Sequence, residues 1–593
     1  MDFEAPIAEI TFTLRNIAGL DAVLASGAFG DVSPETVEAI LSEAGRFAGE
    51  VLAPLNAVGD RIGTRLEGGK VTTAPGWKDA YRRWAEAGWN GIAAPVAWGG
   101  QGLPALLHAA VQEMWNSGSS AFAAGPMLTA GAIEALEAHG AAGLKARYLP
   151  KLVSGEWMAT MNLTEPQAGS DLGGLRTRAE RAGDGTYRIF GQKIFITYGE
   201  HDLTENIIHM VLARLPDAPP GSGGISLFLV PKVMVGDDGG LGAANDLICA
   251  SLEHKLGLHG SPTCMMVYGD KGAGAVGYLV GSEHRGLAAM FTMMNQARLT
   301  VGIQGVGVAE RAYSQALAYA RDRRQGRAPG ATGEAMSRIV EHPGVQRDLL
   351  RMKTLTAAAR AICYACAAAI DLGRHGAAPE RGRWTDRAGL LTPIAKAFAT
   401  DIGIEVASLG IQVHGGTGYI EETGAAQHLR DARVFAIYEG TNGIQAIDLV
   451  MRKLKLAGGG AARDLIAELA TIASDAEASN NQAFGAMGGT LRASIDDLAR
   501  ATDYLQAALA EGRQTDALAG APCYLRLFGL ALGGALLAKG ALQAGTDTSN
   551  DRFVALARFF AESLAGETGS LATTVIEGAE GLRLAADAIL SAQ

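Results

Sequence analysis

Basic residues are in short supply in this chain. Its 593 residues include 51 Lys and Arg against 62 Asp and Glu, a formal net charge of −11. Proteins that bind nucleic acid usually present a basic face, so no nucleic-acid partner is expected. Charge of either sign is sparse, at 19% against about 25% in a typical soluble protein. Cysteine is scarce as well: five residues, an odd number and widely spread, fit a reducing, cytoplasmic setting. Cys363 and Cys366 have redox-motif spacing but lie in an alanine-rich helical run, where they read as small core residues. Long apolar runs are missing too. The longest, 527–538, is flanked by Arg526 and Lys539; it is too short to span a bilayer and reads as a buried helix, so no stable membrane insertion is expected. The opening Met1-Asp2-Phe3-Glu4 has no basic stretch leading into an apolar one, so no signal peptide is expected.

What the chain does have is glycine, 79 residues of it, and much alanine, a composition suited to closely packed helices. Its length allows about four domain-sized units. Residues 1–35 read as an extension with two short helical pieces. From Ser33, a candidate N-cap before Pro34, Val37, Ile40, Leu41 and Ala44 repeat on one helical face. A helical domain follows over 36–155, broken by a loop at 95–102. Short β-rich runs at 187–190, 193–197, 207–212, 225–230 and 264–268 mark an antiparallel sheet domain over 156–283, with loops at 221–224 and 236–242. Helical periodicity returns over 284–456, in long segments such as 290–324 and 345–372. Gly458-Gly459-Gly460 reads as a hinge, and 461–593 as an added domain of about four helices.

Glu439, in Ile437-Tyr438-Glu439-Gly440-Thr441-Asn442, follows a mostly apolar run and precedes small polar residues. A carboxylate poorly solvated on one side has a raised pKa and becomes a usable general base. Gly440 lets a substrate approach the backbone closely. Upstream, Leu163-Thr164-Glu165-Pro166-Gln167-Ala168-Gly169-Ser170-Asp171 is followed by Lys193-Ile194-Phe195-Ile196-Thr197. If the second run is a regular strand, Phe195 and Thr197 share one face. Asn295 and Arg298 stand at i and i+3 of a helix and share a face. The run 272–277 matches the dinucleotide fingerprint letter for letter, but an extended segment follows where a helix must open, so that motif is set aside. His254 and His259 lack the spacing of a metal site, and no metal is expected.

Taken in order over roughly 36–455, these segments resemble the acyl-CoA dehydrogenase family. The resemblance implies a mainly α fold with a central, barrel-like β domain: an N-terminal helical domain, the β domain and a four-helix domain, here with a further helical domain. It implies FAD as cofactor. Glu439 would take the α-proton of an acyl-CoA thioester while the β-hydrogen leaves as hydride to flavin N5, giving a trans-2-enoyl-CoA. Leu163, Thr164, Phe195 (where the family usually has Trp) and Thr197 would meet the flavin ring. Arg323 and Gln325 would reach the FAD of a neighbouring subunit, as would Gln412, Gly415 and Gly416 of Gln412-Val413-His414-Gly415-Gly416-Thr417-Gly418-Tyr419; Thr441 and Asn442 would touch the same cofactor. Ser170, Asn295 (where the family has Asp), Arg298 and Gly440 would serve the CoA substrate. An electron-transfer flavoprotein would accept the electrons, and a homodimer is expected. The extra domain points to bacterial members such as 3-methylmercaptopropionyl-CoA and medium- to long-chain acyl-CoA dehydrogenases of fatty acid β-oxidation. An oxygen-using acyl-CoA oxidase is one alternative. The other is a non-catalytic DNA-associated flavoprotein of the same fold, whose carboxy-terminal domain is basic where 461–593 has no basic run.

Overall fold

The computed structural model describes residues 3–30, 32–332, 335–479, 481–544 and 550–590. Met1 and Asp2 of the N-terminal reading, and part of 461–593, lie outside the described residues. The chain falls into two compact units. One comprises Arg46–Leu103 and Gly118–Ala297; the other comprises Phe3–Gly45, Pro104–Ser117 and the chain from Arg298 onward. The helical run Ala105–His139 is broken at Ser119, whose backbone is extended (φ −160°, ψ 102°).

The first unit is built on an eight-stranded sheet. Its strands are β1 (Met158–Asn162), β2 (Arg178–Arg181), β3 (Tyr187–Thr197), β4 (Ile207–Arg214), β5 (Ile225–Pro231), β6 (Leu247–Leu252), β7 (Thr263–Tyr268) and β8 (Ala275–Val280). Their spatial order is β6-β7-β3-β8-β5-β4-β1, with β2 pairing both β3 and β4. Two departures from the sequence reading follow. The sheet is not wholly antiparallel, since β1 runs parallel to β4. The runs at 187–190 and 193–197 are one strand, and its pairing with β7 slips between Met266↔Lys193 and Cys264↔Ile196. Phe195 sits in that slip at φ +61°. The simple alternation expected to put Phe195 and Thr197 on one face is therefore interrupted by a bulge. The fingerprint-like run at 272–277 leads into β8, a strand. The 95–102 loop contains a 3-10 turn at Val96–Trp98.

The second unit is helical. Its first part contains Gly286–Asp322 from Arg298 on, Pro343–His375, Arg381–His414 and Asn442–Met451. Glycine permits one close crossing. A Cβ on Gly305 would lie 2.4 Å from the Ala399 carbonyl oxygen, so two long helices approach backbone to backbone. Cys363 and Cys366 are free and buried, as read. Beyond the Gly458–Gly460 corner come Gly460–Ala478, Met487–Ala510, the short Gln514–Ala519, Ala521–Ala544, Asp551–Ser563 and Glu567–Leu590. That is five long helices among the described residues where about four were expected. The corner is no loose hinge: Gln506 Nε2 donates to the carbonyls of Leu454 (3.2 Å) and Gly459 (2.9 Å). The 527–538 run belongs to the 24-residue helix Ala521–Ala544, long enough to cross a bilayer. Its apolarity is explained by burial inside this unit.

The extension is not a loose tail either. Ser33 caps the Pro34–Phe47 helix through the Thr36 N–H (3.2 Å). Glu9, on the helix Ile7–Phe12, reaches Lys353 Nζ at 2.5 Å. Lys353 belongs to a buried network in which Arg360 bonds Glu113 (2.6 Å) and Glu310 (2.7 Å), and Tyr364 donates its hydroxyl proton to Glu113 (2.7 Å).

Candidate active site

In the first unit, Glu165 and Lys193 form a buried ion pair at 2.8 Å, 3% and 0% exposed respectively. Burial pushes the Glu165 carboxyl up. The Lys193 charge and the bonds from Lys193, Thr177 and the Arg176 N–H outweigh it and hold the group at about 2. The same lysine is pushed down to about 8 by burial, against the pull of Glu165. Lys193 Nζ also donates to the Leu163 carbonyl (2.9 Å), and the Ile194 N–H donates to the Thr164 carbonyl (2.9 Å). This pair thus pins the Leu163–Thr164 turn against β3. Among the described residues, the hydroxyls of Thr164 and Thr197 make no hydrogen bond to protein, while Phe195 is 58% exposed. Two uncommitted hydroxyls beside an exposed aromatic are a donor set suited to a planar, polar-edged ring. Glu165→Gln removes the counter-charge of a buried ammonium. The expected loss is about 3 kcal/mol of stability, with weakened FAD retention, measurable by urea unfolding and by flavin released on gel filtration.

Ser170 is exposed; the following turn is capped instead by Asp171, which accepts from the Gly173 N–H (2.8 Å). The loop after β3 is held by structural ties. Glu200 pairs with Lys232 (2.5 Å), and Asp202 accepts from the Thr73 N–H (3.1 Å) and hydroxyl (2.7 Å). His259 hydrogen-bonds the carbonyl oxygens of Asp60 and Lys255.

In the second unit, the chain leaves the 3-10 turn Arg433–Ala436 and enters a tight left-handed corner, Glu439 at φ +57° and Gly440 at φ +85°. Gln445 Nε2 donates to the Glu439 carbonyl (3.2 Å). The Thr441 hydroxyl accepts from the Ile444 N–H (3.2 Å) and caps the next helix. One carboxylate oxygen of Glu439, Oε2, is buried without a hydrogen bond. Burial pushes the Glu439 carboxyl up to about 7, against the pull of the Arg298 and Lys396 charges. Among the described residues its backbone N–H donates no hydrogen bond. Tyr438 beside it donates to Gln304 Oε1.

Several sequence assignments change here. Asn295 is exposed, whereas Arg298 is buried and ion-paired with Asp448 at 3.6 Å. The two do not share an environment, and Arg298 belongs to the surroundings of Glu439. Asn442 is used up internally, accepting from Lys396 Nζ (2.9 Å) and donating to Asp401 Oδ1 (2.7 Å), which leaves little for a cofactor. The Thr441 hydroxyl accepts the capping bond, and its proton remains available as a donor. Arg323, Gln325, Gln412, Gly415 and Gly416 are all exposed, and added Cβ atoms at the two glycines would meet open space. Sequence reasoning missed Lys193, Lys396, Gln304 and Gln445. The signal for the lysines was a lone charge inside an apolar run, Ile394-Ala395-Lys396-Ala397-Phe398 for one of them.

Four family models match successive stretches: acyl-CoA dehydrogenase N-terminal domain (34–156), middle domain (160–270) and C-terminal domain (284–454), then an acetyl-CoA dehydrogenase C-terminal-like domain (465–584). The 3-methylmercaptopropionyl-CoA dehydrogenase of Ruegeria pomeroyi is 49% identical over 463 residues, 78% of this chain and 78% of that one. The chain belongs to the acyl-CoA dehydrogenase family. A butyryl-CoA dehydrogenase of Syntrophomonas wolfei is 36% identical over 473 residues, 78% of this chain and 77% of that one. The solved acyl-CoA dehydrogenase of Bacillus anthracis, complexed with FAD, is 21% identical and shares the fold, with a TM-score of 0.73 over 97% of this chain and 93% of that one. This acyl-CoA dehydrogenase is an oxidoreductase whose Glu439 falls within the matched C-terminal domain.

Proposed function

We propose that Glu439 is the base of an FAD-dependent α,β-dehydrogenation that converts an acyl-CoA thioester to its trans-2-enoyl-CoA. The observation that carries this is the Glu439 corner itself, where an unpartnered carboxylate oxygen and a free backbone N–H belong to one residue. The carboxylate takes the α-proton. The N–H is available to the thioester oxygen as negative charge develops there. Leu163, Thr164, Phe195 and Thr197 hold the flavin ring. Bound FAD supplies the acceptor for the hydride that leaves the β-carbon. Arg298 and Lys396 face the base and favour its ionised form.

The substrate we assign is 3-methylmercaptopropionyl-CoA, on the strength of the Ruegeria relative. An electron-transfer flavoprotein takes the electrons onward. The chain works as a homodimer, a reading supported by the exposed stretch at Gly415–Gly416, where Tyr419 is 84% and Ile420 52% exposed. Five free cysteines support a cytoplasmic location. We divide the chain at 1–35, 36–155, 156–283, 284–456 and 461–593, a division supported by the family matches.

Anaerobic mixing with acyl-CoAs from butyryl to palmitoyl, and with 3-methylmercaptopropionyl-CoA, tests this reading. Rapid flavin bleaching, fastest with the sulfur-containing thioester, is the expected result. Faster bleaching by a long chain would overturn the substrate, and bleaching by none would overturn the dehydrogenase reading. Rapid peroxide formation in air would replace it with an oxidase. Because the base must be ionised and its carboxyl sits at about 7, kcat/KM rises about tenfold per pH unit below 7 and levels off above it.

A further inference from the structure

Two consecutive left-handed residues make an unfavourable corner. A non-glycine residue there costs about 1–3 kcal/mol and persists only where its surroundings impose it. At Glu439–Gly440 the imposing group is a lysine. Lys396 lies on the helix Arg381–His414, fully buried, and its Nζ donates to the Gly440 carbonyl at 2.8 Å and to Asn442 Oδ1 at 2.9 Å. Asn442 is in turn tied to that helix, donating to Asp401 Oδ1 at 2.7 Å and to the Ala397 carbonyl at 3.2 Å. The corner is thereby fastened, at the Gly440 carbonyl and at Asn442 just after it, to residues 396–401 of one helix.

Holding a carbonyl needs only a neutral donor. An ammonium is an expensive choice in a dry site, because burial without a paired carboxylate disfavours the charge strongly. Among the described residues Lys396 makes no direct ion pair. The negative groups facing it are Glu439 and, one turn along its own helix, Asp401. The positive group facing it is Arg298 from the helix Gly286–Asp322, itself drawn toward Asp448, which also pairs with Arg452. The neutral Tyr438 hydroxyl bonds Gln304. The lysine charge is therefore placed where it opposes the charge of the base.

We propose that Lys396 is a positioning residue for proton abstraction, fixing the Glu439–Gly440 corner through the Gly440 carbonyl and stabilising the ionised base by its charge. This rests on the reading of Glu439 as the base. Burial pushes the ammonium down to about 7, while Glu439 and Asp401 pull it up. The ammonium keeps its charge below about 7 and the carboxylate above it, so the two charges coexist around neutral pH, where each favours the other.

The test compares FAD-loaded wild type with Lys396→Met, which removes both tie and charge, and Lys396→Gln, which keeps a donor without charge. Three quantities are read: the anaerobic bleaching rate across pH with the fastest thioester of the panel, KM, and the infrared carboxyl band that disappears in Glu439→Gln. Met is expected to lower kcat about 100-fold with KM changed less than about threefold. It should also shift both the acid limb and the carboxyl titration upward by about one pH unit. Gln should recover part of kcat with the shift retained; if Met fails to fold, Gln alone decides by that shift. Slowed turnover with an unmoved acid limb and carboxyl band would make Lys396 merely structural and overturn the proposal, as would wild-type rates in both variants. If Glu439→Gln itself keeps its rate, the base reading has failed, whatever the lysine variants do.

Discussion

Glu439→Gln yields a folded protein that retains FAD and binds acyl-CoA, but whose flavin bleaches about 10³-fold more slowly. Glutamine is nearly isosteric, so the corner, its N–H and the Gln445 tie on the Glu439 carbonyl survive; only the proton acceptor is lost. Stopped-flow bleaching checks the rate, and a variant within tenfold of wild type would sink the assignment. The same substitution changes stability in a defined direction. The folded carboxyl sits at about 7 against an ordinary 4.5, so its favourable neutral state is present below pH 4.5 and lost as pH rises through 7. Gln removes that loss. The variant should therefore be more stable than wild type by about 3 kcal/mol at pH 8 and equal to it near pH 4.5, as read by urea midpoints of the flavin-free protein.

Arg360→Met should cost about 3–5 kcal/mol. Arg360 is 1% exposed and holds Glu113 and Glu310, which are 1% and 5% exposed. In its absence Lys353 is left to face Glu9 and Glu310, and Glu113 is left with the neutral Tyr364 hydroxyl. Burial pushes the Glu310 carboxyl up, but the charges of Lys353 and Arg360 hold it at about 2, so without Arg360 it rises. The destabilisation should then be smaller at pH 5 than at pH 8, because protonation relieves it. Adding Glu113→Gln should recover part of the loss, since the two residues share one network. A guanidinium midpoint within about 1 kcal/mol of wild type would show that the network carries little.

The helices and most strands were legible because their periodicity is local. Val37, Leu41 and Ala44 are buried as read, and the long helical segments fall where expected. The run 158–162 gave no strand signal, because its pairing partner, Ile207–Arg214, lies some fifty residues away and runs parallel. Glu439 was readable from its apolar neighbours, but the groups that hold it were not. Lys396 and Arg298 approach it, and Gln304 the neighbouring Tyr438, from other helices, and no spacing within a single segment encodes that approach. Phe195 was placed in the right strand but the irregularity at it was not legible, since a bulge is set by the partner strand's register. The Asn442 side chain is bonded to a helix more than forty residues upstream, a tie that no local spacing encodes.

The helix Ala521–Ala544 lies against Pro343–His375 and Arg381–His414, and Arg526 on it shares Glu405 and Glu567 with Arg351. The helix that carries Lys396 therefore has its outer side finished by residues encoded more than a hundred positions later. Unfolding is therefore expected to run across a boundary drawn by homology at Gly458. A shortened chain ending there would bare the apolar flank of its own catalytic helices, so the added domain is part of the minimal folding unit.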